Sequence, residues 1–225
     1  MQDGIGNYSN ASTEIEALQQ QGLHFQKQGA HGSAVAVYQR LLALGQDGPA
    51  IRYNLGSALL QLQNPTEALE QFEAGIQLCP QESGLRLGLA NAHNHLGNPT
   101  AAEAALGQEL DLCPDSIPAA VNLGWLLEEQ NRVPEALVQY RKAMYYQPNH
   151  PILRWNHGLA CLMLGDYSRG WRDYEHRWAA RQKTKPTYAT PEWRGEPLRG
   201  RRLLVHSEQG FGDTLMFVRL AQLLR

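Results

Sequence analysis

The 225-residue sequence predicts an all-α protein, a solenoid of five stacked helix hairpins, and three observations support this prediction. Prolines recur 34 residues apart, at Pro80, Pro114 and Pro148. Small residues and an aromatic residue recur in the same frame. Apolar residues such as Leu55 and Leu59 are spaced as on one face of a helix. Because a single hairpin cannot bury its apolar face alone, we expect stacking to supply the core.

Three columns of residues define the repeat. A small residue lies near the middle of each predicted first helix: Gly22, Gly56, Ala90, Gly124 and Gly158. A second small residue lies in each second helix: Ala34, Ala68, Ala102, Ala136 and Gly170. Four residues later comes the third column: Tyr38, Phe72, Leu106, Tyr140 and Tyr174. The small residues let the two helices approach closely, the aromatic residue fills the space between hairpins, and the closing proline stops the second helix.

Turn residues separate the two helices of each unit, at Gly29, Asn64-Pro65, Gly97-Asn98-Pro99, Asn131 and Gly165-Asp166. We therefore predict a polar N-terminal tail, residues 1–14, and a solenoid, residues 15–182. Its units are 15–48, 49–82, 83–116, 117–150 and 151–182. Ala90 and Leu106 make the third unit the least typical, and Gln46 replaces the closing proline of the first.

This pattern resembles the tetratricopeptide repeat, which shares the 34-residue period, the small and aromatic columns and the closing proline. The resemblance covers residues 15–180, and the five units stay in frame without an insertion. It implies a right-handed superhelical solenoid. In that family the first helices line a concave groove that binds extended peptides.

One column of the predicted first helices offers amide groups for such a groove. It contains Gln20, Asn54, Gly88, Asn122 and Asn156. An asparagine side chain carries both a donor and an acceptor, so it can pair with a peptide backbone without reading its sequence. The resemblance implies this ladder, as in superhelical repeats of the O-GlcNAc transferase type. In the competing interpretation, each asparagine only bonds a neighbouring helix.

Further groove candidates lie beside this column: Tyr53, Asn91, Trp125, Glu128 and Trp155. For the aromatic residues, packing between repeats is the alternative to contact with a ligand. We predict no metal or cofactor site. His93 and His95 are two residues apart and point to different faces of a helix. Cys79 and Cys113 each precede a closing proline, so they repeat one structural position.

The repeat frame ends after Tyr174. Trp171 and Trp178 are seven residues apart, which predicts that they share one helical face covering the end of the solenoid. Residues 183–201 read as an irregular, basic connection that contains several prolines and glycines. Such a basic run is usually a solvated surface, although it can also attract an anionic ligand or an acidic partner.

Residues 202–225 predict a single βα unit, the start of an incomplete Rossmann-like domain. Arg202–Ser207 is a short apolar run suited to a buried strand, and Thr214–Arg225 is apolar at helical spacing. Glycines between them permit a tight strand-to-helix turn, and Asp213 is placed to cap the helix.

This segment resembles the start of a heptosyltransferase-like glycosyltransferase domain that follows tetratricopeptide repeats in bacterial proteins. The matching residues are Trp193, Gly195, Glu196, Leu198, Gly200, Glu208, Gln209, Gly210, Gly212, Asp213 and Arg219. The resemblance implies Asp213 as a candidate general base, and a helix cap is the non-catalytic alternative. Because one βα unit cannot make a sheet, we expect a truncated domain that transfers no sugar.

Charge and composition exclude several classes of protein. The formal net charge of −2 is the sum of −8 over residues 1–150 and +6 over residues 151–225, so the chain is not broadly basic and we expect no nucleic-acid partner. The polar N-terminus lacks the features of a signal peptide, and no apolar run reaches the roughly 18 residues that span a bilayer. Three distant cysteines favour a reducing, cytoplasmic setting.

The function predicted from the sequence is a non-enzymatic scaffold that binds a protein or an extended peptide in the concave groove. The acidic bias of residues 1–150 favours a basic or neutral segment. The alternative is the recruiting arm of a glycosyltransferase whose catalytic domain is missing from the chain. The apolar strand and helix of residues 202–225 also suggest self-association.

Overall fold

The computed structural model describes residues 5–185, 187, 193 and 196–203, with side chains from residue 13 onward. Within these residues the regular structure is entirely α-helical and contains no strand. The helices are α1 (Ile5–Lys27), α2 (His31–Ala43), α3 (Pro49–Gln61), α4 (Pro65–Leu78), α5 (Leu85–His95), α6 (Pro99–Leu112), α7 (Ile117–Glu129), α8 (Val133–Tyr146), α9 (Pro151–Met163), α10 (Tyr167–Tyr174) and α11 (Arg177–Ala180).

The helices stack in chain order, and each one from α1 to α9 packs against the next. Helix α3 also contacts α5, and α7 contacts α9, so first helices of successive units lie side by side. The core forms two clusters of mainly aliphatic and alanine side chains, and Leu89 packs against both. The predicted helical solenoid is therefore confirmed for the described residues.

Proline and backbone conformation set the helix boundaries. Proline is the first residue of α3, α4, α6 and α9, where its missing N–H is not needed and its fixed φ favours the helix. At the other end of the unit, Cys79, Cys113 and Gln147 cap α4, α6 and α8 with ψ angles of 87°, 80° and 76°, outside the helical region. Each directly precedes a closing proline, which disfavours the helical conformation of the residue before it. Cys79 and Cys113 thus repeat one structural position.

Every hairpin turn contains one residue in the left-handed region, and these five residues are 34 positions apart. They are Gly29, Gln63, Gly97, Asn131 and Gly165, with φ angles of 72°, 61°, 72°, 60° and 80°. Glycine and asparagine adopt this conformation readily, whereas glutamine does not. The sequence pattern predicts the second turn at Asn64-Pro65, whereas the left-handed residue of that turn is Gln63, one position earlier.

The aromatic column packs its rings onto the glycine column. A Cβ atom added to Gly56 would lie 2.8 Å from ring carbons of Phe72, and one added to Gly88 of the next unit would overlap the same ring. A Cβ on Gly124 would likewise overlap the ring of Tyr140. Phe72 and Tyr140 are fully buried. Each ring therefore occupies the space that a side chain on the neighbouring glycine would need.

The terminal unit brings backbones together instead. A Cβ on Gly158 of α9 would lie 2.7 Å from the backbone nitrogen of Tyr174, and one on Gly170 of α10 would lie 2.6 Å from the Leu162 side chain. The replacement of alanine by glycine at position 170 is therefore explained by the close approach of α9 and α10.

Trp171 and Trp178 do not share one helix, so that prediction is wrong. Helix α10 ends at Tyr174 and α11 begins at Arg177. The buried Arg177 guanidinium donates to the Tyr174 carbonyl oxygen at 3.2 Å and stacks on the rings of Tyr174 and Trp178, with distances to the ring centroids of 4.5 and 4.8 Å. Arg177 thereby binds a carbonyl oxygen at the carboxyl end of α10. In a continuous helix, that oxygen would accept from a backbone N–H of the next turn.

A buried polar cluster joins α9 to α10. The Asp173 carboxylate accepts hydrogen bonds from Arg154 Nη1 at 3.1 Å and pairs with His157 Nδ1 at 2.7 Å. The side chains of Asp173 and His157 are each only 6% exposed. Burial lowers the pKa of His157, and the nearby charges of Arg141 and Arg154 lower it further, although Asp173 opposes them. The folded protein therefore favours the neutral form of the imidazole.

Contacts divide the chain into two compact units, Met1–Lys183 and Thr184–Arg225. In the second unit, Trp193 Nε1 donates to the Glu196 carbonyl oxygen at 2.6 Å. The predicted strand and helix of residues 202–225, with Asp213, lie outside the described residues except for Arg202 and Leu203, which are not in a strand. The βα unit therefore stays a prediction.

The ring-on-glycine packing predicts opposite effects for two Gly→Ala substitutions in helices. Gly124→Ala forces a methyl group against Tyr140 and should destabilise the protein by about 1–3 kcal/mol. Gly107→Ala in α6 has open space around its Cβ and should stabilise it by about 0.5–1 kcal/mol through helix propensity. Urea unfolding followed by circular dichroism measures both. A Gly124→Ala variant as stable as the native protein would contradict the packing.

The neutral state of His157 predicts a loss of stability in acid. As the pH falls through about 6.5, the unfolded chain binds a proton at this histidine before the folded chain does, so the free energy of unfolding decreases. The decrease between pH 7.5 and 5.5 should be smaller in a His157→Gln variant. The exposed His24→Gln variant serves as the control. Equal decreases in the native protein and the His157→Gln variant would show that His157 is not responsible.

Candidate peptide-binding groove

Three of the predicted groove residues meet in a small hollow between α5, α6 and α7. The hollow has a volume of about 160 Å³. Its lining comprises Ala90, Asn91, Asn94, Ala102, Leu106, Asn122, Trp125 and Leu126. The apolar lining comes from alanine and leucine side chains, and three amide side chains supply the polar groups. Such a combination suits an apolar side chain attached to a polar backbone.

The hollow lies at the unit whose repeat positions are occupied by Ala90 and Leu106. They hold the positions at which other units carry glycine and an aromatic ring. Both are buried, and both line the hollow. The third unit, the least typical in sequence, therefore contributes part of the hollow's apolar lining.

Asn122 and Asn91 are joined across adjacent first helices. Asn122 Nδ2 donates to Asn91 Oδ1 at 3.0 Å, so these two amides do bond between helices as the competing interpretation expected. Each amide has further capacity, because Asn122 Oδ1 still accepts and Asn91 Nδ2 still donates. The pair therefore offers both donor and acceptor groups, the two kinds of group that a peptide backbone requires.

Asn54 and Asn156 lie on α3 and α9, in the units on either side of this pair. Both are partly exposed, and neither side chain is hydrogen-bonded within the part of the chain that the structure describes. The backbone carbonyl of Asn54 accepts from Gln26 Nε2 at 3.0 Å, which fixes α3 against α1 but leaves the Asn54 amide unused. These two amides therefore remain available to a ligand.

The three aromatic candidates differ in their surroundings. Trp125 is 46% exposed and forms part of the hollow. Tyr53 is 37% exposed, and its ring centroid lies 6.0 Å from that of Phe72. Trp155 lies under the Arg181 guanidinium, which is 4.7 Å from the ring centroid, and its indole nitrogen is buried. Trp125 is the most available of the three to a ligand.

Glu128 lies beside a buried tyrosine. Its carboxylate interacts with the Tyr140 hydroxyl, and burial raises the pKa of Glu128 while that hydroxyl partly lowers it. The first unit has an equivalent arrangement, because the Tyr38 hydroxyl donates to Gln26 Oε1 at 2.8 Å, and Gln26 is 102 residues, or three repeats, before Glu128. This column supplies a polar partner to a buried tyrosine hydroxyl.

Sequence reasoning missed Asn94 and Leu106, which line the hollow. Asn94 lies between His93 and His95 on α5. No group of histidine, cysteine, aspartate or glutamate side chains suited to a metal ion occurs among the described residues. The useful signal was the amide at position 94, three residues after Asn91 and thus on the same helical face.

Models of a known repeat family match part of this chain. Two models, each described as a tetratricopeptide repeat, match residues 20–83 and 83–108. Residues 20–108 therefore contain tetratricopeptide repeats. Such repeats typically serve as protein-interaction scaffolds, and their fold is of a non-enzymatic type. None of the described helices is long and apolar enough to cross a membrane.

Solved structures share the fold of these tetratricopeptide repeats. A thermophilic tetratricopeptide-repeat protein of Thermus thermophilus superposes with a TM-score of 0.62 at 18% identity, covering 75% of this chain and 92% of that one. PilF of Pseudomonas aeruginosa superposes with a TM-score of 0.67 at 14% identity, covering 79% and 80%. These similarities concern the fold alone.

A longer relative is similar in sequence. Protein FlbA of Caulobacter vibrioides is 28% identical over 173 residues, which are 74% of this chain and 29% of FlbA. The chain thus spans less than a third of the length of this relative.

Proposed function

We propose that the chain is a protein-interaction scaffold that holds an extended peptide segment along its first helices. The observation that carries this proposal is the hollow between α5, α6 and α7, where Asn91 and Asn122 lie beside the alanine and leucine residues of the lining and Trp125. A peptide backbone would pair with the amides, and one apolar side chain of the peptide would enter the hollow. Asn54 and Asn156 would extend the amide contacts on either side.

This arrangement favours a peptide without a fixed polar sequence. An amide donor and acceptor bind any peptide backbone, so selectivity would come from the side chain that enters the hollow. The small volume, about 160 Å³, favours a single aliphatic side chain over a large aromatic one. The charge of −8 over residues 1–150 favours segments that are basic or neutral around that side chain.

Removal of the amide ladder tests the proposal. A displayed library of random peptides is selected against the native chain and against the Asn54→Ala, Asn122→Ala, Asn156→Ala triple variant. We expect peptides with one aliphatic residue in a basic or neutral context to be enriched by the native chain. Their capture should fall at least tenfold in the triple variant, because the backbone contacts are lost.

A matched variant removes three amides from the second helices, with Gln77→Ala, Gln108→Ala and Gln139→Ala. These side chains lie on α4, α6 and α8 and do not line the hollow, so capture should be unchanged. Circular dichroism verifies that all variants are helical. Equal capture by the native chain and the asparagine variant would refute the groove as the binding surface.

A further inference from the structure

A second cleft, unrelated to the peptide groove, lies between α8, α9 and α10. Its volume is about 380 Å³. Four arginines line it, together with Met144, His157 and Asp173: Arg141 from α8, Arg154 from α9, and Arg169 and Arg172 from α10. Guanidinium groups from three helices in two successive units thus converge on one opening.

The carboxylates nearby do not neutralise this cluster. Asp173 is buried and pairs with Arg154 at 3.1 Å, and Asp166 pairs with Arg169 at 3.2 Å on the surface. Among the described residues, no carboxylate lies within ion-pair distance of Arg141 or Arg172, which are both exposed. Four guanidinium groups therefore face two carboxylates, a local excess of two positive charges.

His157 is the remaining titratable side chain that lines the cleft. It borders the cleft from α9, with Asp173 of α10, Arg154 of its own helix and Arg141 of α8 as its charged neighbours. The hydrogen bond between His157 and Asp173 holds that carboxylate inside, 6% exposed. The single carboxylate that lines the cleft is thus occupied, while Arg141 and Arg172 remain accessible.

An adjacent cleft, also bordered by second helices, has no such excess of unpaired arginines among the described residues. That larger cleft, about 600 Å³, is lined chiefly by α6, α7 and α8. Its Arg132 is bound on both sides, at 2.7 Å to Glu103 and 2.6 Å to Glu135, so its charge is satisfied internally. Net positive charge is therefore a particular property of the α8–α10 cleft.

We propose that this arginine cleft is a binding site for a phosphate monoester or inorganic phosphate, with Arg141 and Arg172 as the principal ligands. A guanidinium group offers a planar fork of donors that matches phosphate oxygens, and it keeps its charge at all physiological pH values. Because two arginines lack carboxylate partners, the cleft suits a doubly charged phosphate better than a ligand with one carboxylate group. Arg169 can exchange its surface contact with Asp166 for a third phosphate contact.

Isothermal titration calorimetry tests the site with three probes: inorganic phosphate, a phosphoserine peptide and the same peptide unphosphorylated. We expect the native chain to bind at least one phosphate-bearing probe and not the unphosphorylated peptide. Tighter binding of the phosphopeptide than of inorganic phosphate would identify a protein segment as the source of the phosphate. Equal binding of the two would identify a free phosphate group.

The Arg141→Gln, Arg172→Gln double variant should bind the phosphate probe at least tenfold more weakly at constant ionic strength. Lys142→Gln is the matched control, because Lys142 is exposed on the same helix but borders the neighbouring cleft instead. Circular dichroism establishes that the variants are folded. Absence of phosphate binding by the native chain, or equal affinity of the native chain and the double variant, would overturn the proposal. Since the random peptides carry no phosphate, this result is independent of the test of the peptide groove.

Discussion

The solenoid depends on one steric fit, an aromatic ring seated where a glycine has no side chain. Phe72 lies between Gly56 of its own unit and Gly88 of the next, and Tyr140 lies against Gly124. A ring in this position fixes the distance between the two helices of a hairpin and, for Phe72, the distance to the following hairpin. The third unit replaces both partners, with Ala90 for glycine and Leu106 for the ring, so volume gained on one helix is matched by volume lost on the other. Interiors packed at near-crystalline density favour such paired changes.

The two proposed binding surfaces depend on this packing and on positions that the repeat leaves free to vary. The buried hydroxyls of Tyr38 and Tyr140 need polar partners, which Gln26 and Glu128 supply from one column. Where the third unit carries leucine, a hollow lies beside the amides of adjacent first helices. The fold does not dictate the charges on the surfaces near the second helices. Arg132 is paired with two carboxylates, whereas Arg141 and Arg172 have no carboxylate partner among the described residues. One scaffold thus presents two surfaces of different chemistry.

The sequence was sufficient for the features that repeat. A 34-residue period with small, aromatic and proline columns predicts helix hairpins because each column has a steric reason that does not depend on distant residues. The left-handed Gln63 escaped prediction because glutamine does not signal that conformation, and it becomes visible only in register with Gly29 and Gly97. The helix break before Arg177 depends on a side chain that binds a carbonyl and two rings. The Asn122–Asn91 hydrogen bond and the arginine cleft both involve residues from different helices. The spacing of residues along the sequence does not show how those helices are placed relative to one another.

A double-mutant cycle between Gly124 and Tyr140 tests most directly whether ring-on-glycine packing holds the solenoid together. The free energy of unfolding is measured for the native chain, Gly124→Ala, Tyr140→Leu and the double variant, which recreates the alanine–leucine pair of the third unit. The steric fit predicts that Gly124→Ala costs less in the Tyr140→Leu background than in the native chain, with a coupling of about 0.5–3 kcal/mol. Strictly additive effects of the two substitutions would contradict it.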